Sequence, residues 1–188
     1  SYLDAQSVEI NCATADADIY YTLDGTDPSS ASTPYSGAIS ISETKTLKAI
    51  AIKGGDVSAI ASATYTIVVP KSVDEIWNEI TSDGPTDAYV WGYVSQADVS
   101  GNNTYYISVN GSTEGNQLEI FKGDNDGHTI SKGDKVVVNG DLTIWGSTKE
   151  FASGTGKVVR YSAKGAVNAV VVSGTATKNT YSANETFE

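Results

Sequence analysis

Ala88-Tyr89-Val90-Trp91-Gly92-Tyr93-Val94-Ser95-Gln96-Ala97 alternates along its length. In an extended strand Val90 and Val94 fall on one face, and Tyr89, Trp91 and Tyr93 on the other. A strand that carries aliphatic residues on one side and aromatic ones on the other belongs to a sheet with one face turned to a core.

Four more extended stretches follow, at about Thr104–Asn110, Gln117–Phe121, Lys135–Trp145 and Glu150–Tyr161. Ser100-Gly101-Asn102-Asn103 and Asn110-Gly111 mark turns between them. Tyr105, Ile107 and Val109 share a face, with Tyr106 and Ser108 opposite; Leu118 and Ile120 oppose Glu119 and Phe121. The fourth and fifth strands are long, and Gly140 and Gly154-Thr155-Gly156 are where they can bend. Ahead of the strands, Ser72 and Glu75 form a capping box. Val73, Ile76, Trp77 and Ile80 then make one apolar helical stripe, which Asp83-Gly84-Pro85 ends. Five strands of this kind fit an OB-fold, a partly open Greek-key barrel, with the helix lying against it. Residues 71–165 are assigned to this domain.

The preceding residues, 1–70, repeat a period of two in short runs: Val8, Ile10 and Cys12; Tyr21 and Leu23; Ile39 and Ile41; Leu47–Ile52; and Ala61–Ile67. The turn clusters Asp24-Gly25-Thr26-Asp27-Pro28 and Lys53-Gly54-Gly55-Asp56 separate them, as in an antiparallel sandwich. The expected fold class is all-β, an Ig-like sandwich followed by an OB-type barrel with one amphipathic helix. Residues 166–188 read as the first strands of a third, incomplete β-domain.

Three resemblances attach to these motifs. Ile19–Ser29, Pro34-Tyr35-Ser36-Gly37, Thr46–Ala51 and Ser62-Ala63-Thr64-Tyr65 occur in the order seen in the chitobiase/β-hexosaminidase C-terminal domain family, which residues 3–67 resemble. That likeness implies a non-catalytic Ig-like sandwich appended to secreted bacterial enzymes and surface proteins. Tyr89–Val94, Tyr105–Ser108, Ile130–Gly140 and Thr143–Phe151 resemble OB-like domains of secreted Bacteroidetes proteins. Ala169–Thr175 and Thr180–Phe187 resemble the opening of a bacterial Ig-like domain. The implied location is extracellular or on a bacterial cell surface, and the stretch reads as part of a longer protein.

Composition narrows the function. The formal net charge is −11, with three Lys against eight acids in residues 1–70 and eight basic residues against thirteen acids in 71–165. Both halves repel polyanions, which argues against nucleic acid. No apolar run approaches the roughly 18 residues of a membrane span. The single cysteine, Cys12, excludes an intrachain disulfide and reads as a small buried hydrophobe within its alternating run.

Catalysis finds little material. The one histidine, His128, lies in a Gly-rich loop without a nucleophile elbow, and there is no phosphate loop or dinucleotide fingerprint. No cofactor is implied. Asp124-Asn125-Asp126-Gly127 places oxygen ligands at alternate positions, as Ca²⁺ loops do, but lacks the later Glu and reads as a solvated turn.

The suggestive group is the outward set Tyr89, Trp91, Tyr93, Tyr106 and Phe121, with Trp145 near a loop. Such rings stack on sugar faces, with Ser108, Asn110 and Gln117 to orient hydroxyls. The same face is also what the Val73–Ile80 helix or a neighbouring domain would cover, and that is the first reading. Lys and Arg do not interleave with the rings, so carbohydrate fits better than nucleic acid. The expected function is therefore a non-catalytic structural or adhesion-type module, not an enzyme. Its partners would be other domains of the parent chain, a polysaccharide or a surface protein. A carbohydrate-binding accessory region is the alternative.

Overall fold

Strand-forming runs dominate the chain, and the computed structural model, which describes residues 1–165, is built almost wholly from them. The expectation for residues 166–188 lies outside the described residues. The chain separates into two compact units, one of Ser1–Val69 and one beginning at Pro70.

The first unit contains β1 (Gln6–Val8), β2 (Asp18–Thr22), β3 (Thr33–Pro34), β4 (Ile39–Ile41), β5 (Lys45–Lys53), β6 (Asp56–Val57) and β7 (Ala61–Tyr65). β1 and β4 pair antiparallel as one small sheet; the other runs β3-β2-β5-β6, with β7 also on β5. Ile39 and Ile41 from the first sheet meet Leu47 from the second, with Val8, Ile10, Tyr21, Leu23, Tyr35 and Tyr65 packed around them. The Tyr35 hydroxyl accepts the Ile10 amide at 3.1 Å. In the turn after β2, Asp24 Oδ1 accepts from the Thr26 amide and hydroxyl, and these bonds hold the Asp24 carboxyl below its ordinary value. Gly25 follows with φ +79°, a conformation that favours glycine.

One expectation fails here. Cys12 is exposed, not buried. β1 stops at Val8, so the alternation of Val8, Ile10 and Cys12 does not continue as one strand, and only Val8 and Ile10 reach the core.

The second unit begins with β8 (Lys71–Ser72), α1 (Val73–Ile76) and a 3₁₀ turn over Trp77–Glu79. Both halves of the capping box are made: Ser72 Oγ accepts the Glu75 amide, and the Glu75 carboxylate accepts the Ser72 amide at 2.6 Å. The Ser72 amide and, with it, the Ser72 hydroxyl donate to the Glu75 carboxylate and hold it below its usual value. The helix is shorter than expected, a single turn that tightens at Trp77 and becomes extended at Ile80 (φ −74°, ψ 117°). Val73, Ile76 and Ile80 nevertheless enter the core, with Trp77 packed beside them.

Next come β9 (Ala88–Gln96), β10 (Tyr105–Ser108), β11 (Leu118–Ile120), β12 (Lys135–Gly140), β13 (Leu142–Trp145), β14 (Thr148–Phe151) and β15 (Lys157–Ser162). Val90, Val94, Tyr105, Ile107, Leu118, Ile120, Val136, Val138, Leu142, Phe151 and Val158 point to one core and are at most 2% exposed. Gly92 lies between Val90 and Val94; a Cβ there would stand 2.9 Å from the Ile107 side chain. A bulge at Ser95 shifts the β9–β10 register, and its buried hydroxyl bonds the Tyr106 carbonyl and Gln117.

The sheet order is β13-β14-β11-β10-β9-β12-β15, with β8 added parallel to β9. This path is open, and no closed barrel is found in it. The two long strands expected from sequence are each divided. β12 pairs with β9 and β15, whereas β13, beyond Asp141, pairs with β14. Gly140 allows the bend: a Cβ there would lie 2.6 Å from the Thr155 carbonyl oxygen. β14 and β15 are separated by residues 152–156. Loops lie along both end strands of the path. The Leu142 amide bonds the Pro85 carbonyl at 2.8 Å and the Thr143 hydroxyl donates to the Ser82 carbonyl, while the Val158 amide bonds the Asp124 carbonyl at 2.8 Å. Among the described residues no helix is long and apolar enough to cross a membrane.

Candidate functional site

The six aromatic residues singled out from sequence all lie off the core, and they divide into two groups. Tyr89, Trp91 and Tyr93 stand on β9, opposite Asn139, Val137 and Lys135 of β12. Trp91 and Tyr93 meet edge to face, with ring centroids 6.3 Å apart. Lys135 Nζ lies 4.6 Å from the Trp91 centroid and 5.6 Å from that of Tyr93. An ammonium over a ring face is attracted by the ring's quadrupole, so these rings already have a cation as partner. The helix does not cover them, because its apolar stripe is spent on the aliphatic core.

The second group lies on the other half of the sheet. Pairing places Tyr106 beside Glu119, Glu119 beside Glu150 and Glu150 beside Thr143, one row across β10, β11, β14 and β13. Trp145 pairs with Thr148 at the tip of the β13–β14 hairpin, two residues from Thr143 and so on the same face. Phe121, just past β11, falls on this face by the same alternation, with Lys122 Nζ 5.1 Å from its ring centroid. Trp145 is 77% exposed, and Gly146, at φ +61°, makes the turn behind it.

The row is electrostatically uncompensated. Glu150 is only 7% exposed, yet among the described residues it has no hydrogen-bond donor or ion-pair partner. Burial, and then the adjacent Glu119 carboxylate, hold its carboxyl above the ordinary glutamate value. Burial and the Glu119 carboxylate likewise raise the Tyr106 hydroxyl. The nearest basic residue along the chain, Lys149, points away: its ammonium donates to the Trp77 carbonyl and lies 4.7 Å from the Trp77 ring centroid.

Sequence reading missed Lys135, Glu119 and Glu150. The outward direction of Glu119 is readable from Leu118 and Ile120, but its neighbour on β14 is fixed by a parallel pairing between distant segments. The polar residues expected to orient a ligand are occupied within the fold. Ser108 donates to the Ser112 carbonyl, Asn110 Oδ1 accepts the Ser112 amide, and Gln117 binds Ser95, Gln96 and the Thr113 carbonyl.

His128 stacks on Tyr161 at 4.3 Å, and the Tyr161 hydroxyl donates to the buried Asp134 carboxylate at 3.0 Å. Asp134 also accepts the Ser131 and Lys164 amides, a clasp that closes the 122–132 loop. In the Asp124–Gly127 turn, Asp124 Oδ1 accepts the Asp126 amide, and Lys157 Nζ lies 3.7 Å from Asp124 and 3.4 Å from Asp126. A lysine thus stands where a cation would. Among the described residues no three His, Cys, Asp or Glu side chains gather as a metal site.

Comparison with known proteins bears on the first unit. A model of the chitobiase/β-hexosaminidase C-terminal domain family matches residues 1–66 of the 188. That domain is a non-catalytic Ig-like module usually found in larger glycoside hydrolases. No curated protein and no solved structure matches the chain. Over residues 1–66, then, the chain is similar to an accessory module, and the aromatic and acidic faces described above lie outside that match.

Proposed function

We propose that this chain is a non-catalytic accessory region of a larger extracellular bacterial protein. Its two β-units space and present neighbouring domains. The observation that carries this reading is the likeness of residues 1–66 to a non-catalytic Ig-like module. We read the second unit as OB-like. If β12 with β13, and β14 with β15, are each taken as one bent strand, the neighbours run first, second, third, fifth, fourth and back to the first. This order supports the reading of a five-stranded, partly open Greek-key barrel. The test is a panel of glycosidic, ester and peptide substrates incubated with the whole chain. No turnover is expected; turnover abolished by His128→Ala or Glu150→Gln would overturn the reading.

A second reading, carbohydrate binding, is favoured by one observation. Trp145 presents most of an indole ring to solvent from a hairpin tip. Large rings held open on a rigid strand are the usual means by which proteins hold the apolar faces of sugars.

A further inference from the structure

We propose that the outer face of β13-β14-β11-β10 is a binding site for a neutral oligosaccharide, with Trp145 stacking on a sugar ring and Glu150 and Glu119 accepting its hydroxyls. This rests on the carbohydrate-binding reading and names the site and ligand class within it.

Two independent features point to the same place. The first is Trp145, which among the described residues has no aromatic or cationic partner, unlike Trp77 and Trp91. The second is Glu150, more than nine-tenths buried and without a donor. The residue is shielded, but its carboxylate oxygens still reach the surface, where a ligand's donors can bond them. Strand pairing sets Glu119 directly beside it, so two acceptors stand on one rung, two residue pairs along the β13–β14 hairpin from the Trp145 rung.

The chemistry of the face selects the ligand. A polyanion, a phosphate or an acidic sugar would meet two carboxylates, with a single cation, Lys122, drawn over the Phe121 ring. A divalent metal is disfavoured, because among the described residues no three His, Cys, Asp or Glu side chains gather to hold one. An uncharged pyranose offers what both features lack: an apolar C–H face for the indole, and hydroxyl donors at its edge for the carboxylates. The Trp91–Tyr93 pair is not part of this site, because Lys135 lies over those rings.

The experiment uses the whole chain on an array of neutral glycans (glucans, mannans, xylans, chitin oligomers), with alginate, heparin and a Lys-rich peptide beside them. Titration of the best neutral glycan follows, read by Trp fluorescence. Retention of a neutral glycan is expected, with Trp145→Ala lowering affinity at least tenfold, Glu150→Gln severalfold, and Trp91→Ala leaving it within twofold. Trp145 is exposed and Glu150→Gln keeps its shape, so both variants should fold, which circular dichroism checks. If Trp91→Ala abolishes binding and Trp145→Ala does not, the site is wrong while the carbohydrate reading stands. If no neutral glycan binds, both fall. Binding of the peptide alone, lost in Trp145→Ala, would assign the face to a cationic protein partner instead.

Discussion

Trp91 and Tyr93 on β9 share their face with Lys135, whereas Trp145 on β13 shares its face with Glu150 and Glu119. Both groups project from the same sheet, and from sequence they form one aromatic surface. Their neighbours decide what they can do. On β9 an ammonium occupies the rings, so their binding capacity is spent inside the protein. On β13 the indole is open, and the charge beside it lacks a counterpart. An aromatic residue on a strand is therefore ambiguous until the residue abreast of it is known.

The largest effect on stability that separates the two faces should come from Trp91→Ala. It removes a half-buried indole, its contact with Tyr93 and its cation, and should cost about 2 kcal/mol in chemical denaturation of the second unit. A loss below about 0.5 kcal/mol would mean that the β9 rings are as free as Trp145. Lys135→Ala should come next, at about 0.5–1 kcal/mol, with a blue- or red-shifted Trp emission as the cation leaves. An unchanged spectrum would sink the proposed division of faces.

Glu150→Gln should act through pH. The folded-state carboxyl of Glu150 is raised, so folding binds its proton more tightly than the unfolded chain does. That contribution is fully present below the unfolded glutamate value and is lost as pH rises through the folded one. Thermal melts of the wild type should thus show it falling away on the alkaline side of that window, and the Gln variant should lack this component. Trp145→Ala should do least, within about 0.5 kcal/mol at any pH, because the ring gives up little packing. A larger loss would recast Trp145 as a structural anchor.

Much of the fold was legible. Val90, Val94, Ile107, Leu118 and Ile120 point inward as their alternation requires, and Ser72 with Glu75 marks the helix start. The likeness of the first unit to the chitobiase/β-hexosaminidase C-terminal domain rested on several motifs in order over residues 3–67, and the family model matches residues 1–66. Other features depended on pairing between distant segments. The single alternating run Val8–Cys12 suggested a buried thiol, but a strand lasts only while a partner lies beside it, and β1 has β4 for three residues. The helix stripe ran to Ile80 in sequence, yet only the first turn is α-helical, because a buried side chain at Ile80 can be supplied equally well by extended backbone. The carboxylate pair is the extreme case. Glu119 and Glu150 come from strands joined by a long crossover, and no local pattern reveals that they are abreast.

The loops along β13 and β15 have a consequence beyond the domain itself. A bare outermost strand is a template on which an unrelated extended segment can nucleate, the first step toward cross-β filaments. Here the amides of Leu142 and Val158 are already taken by Pro85 and Asp124. Such caps oppose polymerisation while leaving the broad faces of the sheet free to meet other molecules.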